Sequence, residues 1–145
     1  MKKDLCFLKT VLPISTKLKK LLSSKINQYT ESNPPAEHYT LNFKDTSYDA
    51  ESGGFRPIEI SISKYSDEDW NIDYITEFAY FGHYYPELER SIDFDIINQS
   101  WFIPNKGFMP LETTINDAKS LYLLWESNFI EYVKIDCYDK ITVTQ

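Results

Sequence analysis

Soft metal ligands are scarce in this chain, with two cysteines and two histidines among 145 residues. Cys6 and Cys137 lie near opposite ends, in no spacing that a zinc site or a disulfide framework requires. A single bridge between them needs a geometry that sequence does not fix. Long apolar runs are missing too. None approaches the ~18 to 20 residues that span a bilayer, which excludes a transmembrane helix. The opening Met1-Lys2-Lys3 has the charge of a signal n-region, but Asp4 and Lys9 break the apolar stretch behind it and no small-residue cleavage site follows. It reads as mature sequence, and the expected location is cytoplasmic. Positive charge is the third shortage. Fifteen Lys and Arg stand against 22 Asp and Glu, leaving a net charge of −7. Phosphate affinity comes from basic side chains displacing counterions, so binding to a nucleic-acid backbone is not expected. The one basic concentration, Lys17, Lys19, Lys20 and Lys25, falls on a predicted helix and reads as a solvated face.

What the chain does have is aromatic mass: eleven Tyr, nine Phe and three Trp. A chain this long buries roughly two-thirds of its unfolded surface, so a core forms without staples. Pro13-Ile14-Ser15 supplies a stop and then an N-cap. Leu18, Leu21, Leu22, Ile26 and Tyr29 follow at helical spacing, predicting a helix over 16–29. Pro34-Pro35 marks the loop beyond it. The period then changes to alternation, the signal of strands with one buried face. Tyr39, Leu41 and Phe43 form one set, and Ile58, Ile60 and Ile62 a second. Ile72, Tyr74, Thr76, Phe78 and Tyr80 form a third, and Ile92, Phe94 and Ile96 a fourth. A fifth strand around Trp101–Ile103 follows the Asn98-Gln99-Ser100 turn. A turn at Asn105-Lys106-Gly107 leads to a long helix over 113–135. Leu5–Leu12 and Lys140–Thr144 are candidate edge strands.

No repeat, low-complexity tract or linker interrupts the pattern, so residues 1–145 read as one domain. Short turns between consecutive strands predict an α+β fold. Its sheet is mainly antiparallel, with about five strands and the N-terminal and long C-terminal helices packed on one face.

Several separated segments, in order, carry a resemblance. They include Leu12-Pro13-Ile14-Ser15, Asn42-Phe43-Lys44-Asp45, Gly53-Gly54-Phe55-Arg56-Pro57-Ile58-Glu59-Ile60, Tyr74-Ile75-Thr76-Glu77-Phe78-Ala79-Tyr80, Asp93-Phe94-Asp95 and Leu124-Trp125-Glu126-Ser127-Asn128-Phe129. Together they resemble the bacterial family labelled domain of unknown function 2787, from about Leu12 to about Tyr132. The resemblance implies a small bacterial protein with no assigned activity and supplies no catalytic residues.

Four constellations could carry chemistry. Glu59, Asp73, Glu77, Asp93 and Asp95 fall on the polar phase of the predicted strands and would gather on one acidic sheet face opposite the core. Crowded carboxylates call for a cation, an Arg or solvent, so this face is a candidate docking surface for a basic partner, a metal site or an imitation of a nucleic-acid backbone. The plain alternative is the solvated side of an antiparallel sheet. Asp67, Asp69, Asn71 and Asp73 repeat the opening of a calcium loop, but Ile72 stands where Gly is needed and Phe78 where the bidentate Glu belongs, so no metal site is assigned. His38 and His83 could act as acid or base beside strand carboxylates such as Glu77 or Glu87, the basis of a hydrolase-like alternative. Yet neither cysteine has a nucleophile context, and no Gly-x-Ser-x-Gly elbow or phosphate loop occurs. Last, the loop Gly53-Gly54-Phe55-Arg56 and the aromatic run with Tyr84 and Tyr85 could anchor a partner through large rings. The expected function is a non-enzymatic binding module for a protein or small ligand, with a basic one the best electrostatic match. No cofactor is indicated.

Overall fold

The computed structural model describes residues 3–145; Met1 and Lys2, the start of the signal-like opening, lie outside the described residues. The first helix, α1 (Thr16–Thr30), begins where the sequence places it, with the Leu18 N–H donating to Ser15 Oγ at 3.1 Å. A capping box would put Glu or Gln three residues after the cap to accept the cap's own N–H. Leu18 occupies that position here. The acceptor comes instead from the second helix, α2 (Ile115–Lys134): Ser15 N–H donates to Glu126 Oε2 at 3.0 Å, and the Tyr122 hydroxyl donates to the same oxygen. Glu126 is accordingly 5% exposed.

Eight strands make one sheet: β1 (Cys6–Phe7), β2 (His38–Lys44), β3 (Ile58–Lys64), β4 (Asp69–Phe81), β5 (Glu87–Asp95), β6 (Ser100–Ile103), β7 (Gly107–Pro110) and β8 (Lys140–Thr144). Their spatial order is β7-β6-β5-β4-β3-β2-β8, and β1 runs parallel to the start of β4. All the other pairings are antiparallel. The count of about five is therefore too low. The Leu5–Leu12 edge strand shrinks to two residues, while Lys140–Thr144 pairs along β2 as an edge. β7 was hidden because it is four residues long and ends in Pro110; proline is tolerated at a sheet edge, where its missing N–H breaks no ladder.

Both helices lie on the face that carries Tyr39, Leu41 and Phe43. Tyr29 of α1 meets Tyr39 edge-on at 5.9 Å, and Phe129 of α2 meets Phe43 edge-on at 5.0 Å. Leu18, Leu22, Ile58, Ile60, Ile62, Phe94 and Tyr122 complete a continuous core, all 2% exposed or less. Among the described residues no helix is long and apolar enough to cross a membrane.

Two bulges control what each face presents. On β4 the register against β3 shifts between Ile72 and Tyr74, leaving Asp73 as an extra residue. On β5 it shifts between Arg90 and Ile92, leaving Ser91 extra. A one-residue slip exchanges the two faces of everything beyond it. Upstream of Asp73 the expected phase holds, with Ile72 1% exposed in the core. Downstream it inverts. Ile75 at 1% and Ala79 at 4% turn inward with Glu77, while Tyr74 and Thr76 turn outward.

Candidate ligand pocket beneath the second helix

The five carboxylates expected on one sheet face are divided by these bulges. Four remain on the outer side, and each has partners there. Asp73 accepts from Ser61 Oγ (3.0 Å) and Ser63 Oγ (2.7 Å), and Glu59 accepts from the Tyr74 hydroxyl (2.7 Å). Asp93 accepts from Thr76 Oγ1 (2.8 Å) and faces Arg90 Nε at 3.5 Å. Asp95 caps the following turn, accepting from the backbone and side-chain nitrogens of Asn98. Asp73 and Asp93 are each 4% exposed, so this is a closed polar layer rather than a solvated acidic surface. Burial pushes the Asp93 carboxyl above its ordinary pKa, against the Thr76 hydrogen bond and the Arg90 charge. Arg90 in turn lies over the rings of Phe102 and Phe108, at 5.7 and 5.1 Å from their centroids.

Glu77 points the other way, toward α2. It lines a pocket of about 160 Å³ with Ile92 of β5, Leu121, Leu124, Trp125, Asn128, Phe129 and Tyr132 of α2, and Tyr138 beyond the helix. The helix supplies these groups at i, i+3, i+4 and i+7 spacing, the stripe that faces a sheet. Glu77 is 15% exposed at its side chain and pairs with Arg56 Nη1 at 3.3 Å. The same Arg56 nitrogen donates to Ser91 Oγ, the bulged residue of β5, at 3.3 Å. Burial raises the Glu77 pKa, opposed by the Arg56 charge and hydrogen bond and by the Trp125 side chain. Burial, then the Glu77 charge, raises the Tyr138 phenol.

The glycine loop is part of the same construction. Gly53 and Gly54 have φ of +74° and +134°, a region that side chains avoid. A Cβ on Gly54 would meet Asp45 Oδ2 at 2.8 Å. That Asp45 oxygen accepts from the Phe55 N–H at 3.0 Å, and this bond, with those from Ser47, holds its carboxyl below the usual range. Phe55 is thereby set against Tyr132 and Tyr138, with centroids 4.8 and 6.3 Å away, and Arg56 reaches Glu77 from the next position. Glu77 therefore lines the pocket, while Phe55 and Arg56 back its wall by contact with Tyr132, Tyr138 and Glu77. Tyr84 and Tyr85 do not join them. They project from the β4–β5 hairpin tip at 92% and 89% exposure.

The remaining candidates stand apart. His38 Nε2 lies 2.8 Å from Ser61 Oγ, which bonds Asp73, so histidine, serine and aspartate form a chain on the outer face. The hydroxyl, not the imidazole, sits in its middle. Its proton goes to Asp73, which leaves the imidazole no serine proton to take, unlike the order a nucleophilic triad needs. His83 is exposed at the hairpin tip, away from the pocket lining. Asp67 lies in the turn before β4, Asp69 opens that strand and accepts from Ser66 Oγ, and Asn71 and Asp73 continue along it. Among the described residues no group of three or more His, Cys, Asp or Glu is arranged to hold a metal ion. Both cysteines are free thiols.

Sequence reasoning missed Trp125, Asn128, Tyr132 and Tyr138 as pocket walls. The density of rings along α2 was visible, but a ring stripe at helical spacing reads equally well as core, and most of it is core.

Fold and pocket define an α+β chain with a mainly antiparallel sheet and two helices on one side. The chain belongs to the family described as Protein of unknown function (DUF2787), whose profile matches residues 16–144. It is similar in structure to the hypothetical protein VC0508 from the Vibrio cholerae VSP-II pathogenicity island, with a TM-score of 0.85 and 45% identity over 96% of this chain and 99% of that one. It is also similar to VC1805 from Vibrio cholerae pathogenicity island VPI-2, with a TM-score of 0.84 and 42% identity over 95% of this chain and 99% of that one. VC1805 is described as sharing structural homology with the human P32 protein. No curated protein matches the chain.

Proposed function

We propose that this chain is a non-enzymatic binding module and that its ligand, or a side chain of its partner, enters the pocket beneath α2. One observation carries the reading: the strand carboxylate Glu77 opens on a pocket walled by aromatic and aliphatic groups, with Arg56 paired to it and Phe55 packed on Tyr132 and Tyr138 behind the lining. Binding sites commonly combine apolar walls with a few placed polar groups. A catalytic site of the hydrolase type would add a histidine and a second carboxylate. The lining residues include one carboxylate and no histidine. The outer polar layer suits docking less well, because its acids are already answered by hydroxyls and Arg90.

The size of the pocket limits what it can take. Drug-sized ligands occupy ~300 to 1,000 Å³, whereas about 150 Å³ accommodates a benzene-sized molecule. A single side chain or a compound of a few heavy atoms fits the 160 Å³ here. The test is a set of amide and indole NMR spectra recorded with a panel of N-acetyl amino-acid amides. Saturable shifts centred on Leu124, Trp125, Tyr132 and Tyr138 are expected from at least one member. A panel without any such response would overturn the reading.

A further inference from the structure

Resting on that reading of the pocket, we infer that its ligand is an alkylammonium: a protonated primary amine on a short aliphatic stem. The geometry separates the two charged groups at the site. Glu77 lines the pocket, while Arg56 is outside the lining and 51% exposed. A ligand inside therefore meets the carboxylate first. Arg56 also compensates it incompletely. Its Nη1 is shared between Glu77 and Ser91 at 3.3 Å each, longer than the ~2.7 to 2.9 Å of a close charge-assisted bond. The upward shift of Glu77, caused first by burial, agrees with a carboxylate whose lost hydration is not fully replaced.

The rest of the lining specifies the stem. Ile92, Leu121 and Leu124 offer aliphatic contact, which an extended chain of about four carbons can use; burying each methylene is worth ~0.8 kcal/mol. Trp125, Phe129, Tyr132 and Tyr138 form the aromatic side, and aromatic ring faces attract a desolvated cation. An anionic ligand would meet the Glu77 carboxylate, so the pocket discriminates against it. Two sources share the favoured chemistry, a lysine side chain on a partner protein and a free small amine.

The experiment titrates the full chain at constant ionic strength with n-butylammonium, its neutral isostere butan-1-ol, and N-acetyl-lysine N-methylamide, following the Trp125 indole N–H by NMR. The amine is expected to bind at least tenfold more tightly than the alcohol, with the preference lost in Glu77→Gln. Tighter binding of the lysine derivative than of butylammonium assigns the ligand to a partner protein; weaker binding assigns it to a free amine. Equal binding of amine and alcohol to the unmodified chain would overturn the cationic assignment while leaving the pocket intact as a site. Silence from amine and alcohol, with another amino-acid amide shifting the pocket, would overturn it as well. Because the amine–alcohol comparison is made on the unaltered protein, it does not depend on how the variant folds.

Discussion

Asp93 and Glu77 occupy neighbouring rungs of the same strand pair, Asp93 opposite Thr76 and Glu77 opposite Ile92, yet they face opposite sides of the sheet. Burial raises the pKa of both. What differs is what surrounds them. Asp93 is enclosed by a hydroxyl and an arginine that is itself held over two rings, and it leaves no room for anything else. Glu77 has a long contact to an exposed arginine and a hydrogen bond from the Trp125 side chain, and it opens on the pocket. Density of acidic residues is therefore a poor guide to a binding site; an unfilled space beside an incompletely answered charge is a better one.

Substitutions can break or sharpen this contrast. The largest effect is expected on the outer layer, from Asp73→Ala, which removes the acceptor of both Ser61 and Ser63. Half-buried Ser63 then loses its acceptor and Ser61 keeps only His38 Nε2 beside it, a loss of about 2 to 3 kcal/mol. Urea denaturation measures it, and a loss below ~0.5 kcal/mol would show that the layer is solvated after all. On the pocket side, Gly54→Ala should cost about 2 kcal/mol through its positive φ and the collision with Asp45. It should also weaken ligand binding, by shifting Phe55. If binding and stability both stay at parental values, the loop does not shape the pocket. Glu77→Gln is expected to change stability at neutral pH by less than about 1 kcal/mol, because the group sits at a site built around open space rather than in a closed network.

The smallest effect is the most diagnostic, and it is a pH dependence. With its folded-state pKa raised above 4.5, Glu77 binds its proton more tightly in the folded chain. Its contribution to stability is complete below that ordinary value and is lost as pH rises through the folded value. Glu77→Gln should therefore gain stability relative to the parent over this window. Asp45, Asp49 and Asp139 pull in the opposite sense, since their lowered pKa values give stability that is lost as pH falls below 3.8. Comparing variant with parent across pH 4 to ~7 cancels those contributions. A flat difference would mean that burial does not perturb Glu77.

The helices, the Ser15 cap, the alternating core of β2 and β3 and the turning role of the glycine pair were all legible, because each depends on neighbours within a few residues. Glu77 was assigned to the wrong face for a specific reason. The alternation Ile72-Asp73-Tyr74-Ile75-Thr76 accepts two registers, and only pairing with β3 decides that Asp73 is extra. Tyr138 and Glu77 are also 61 positions apart in the sequence, so no local pattern joins them. Glu126 could have been suspected: a serine cap with leucine at its third helical position leaves one N–H without a local acceptor, and a buried acid elsewhere must supply it.

That distant acceptor has a kinetic consequence. Ser15 and Glu126 are 111 positions apart, and β2 pairs with β8, about a hundred positions further along. Contacts of such long sequence separation slow folding, because the loop must close before they give anything back. The start of α1 and one side of β2 therefore wait, during synthesis, for α2 and β8 to emerge. Until then, the first helix lacks half of its cap, and the first long strand keeps an open edge that another chain could occupy.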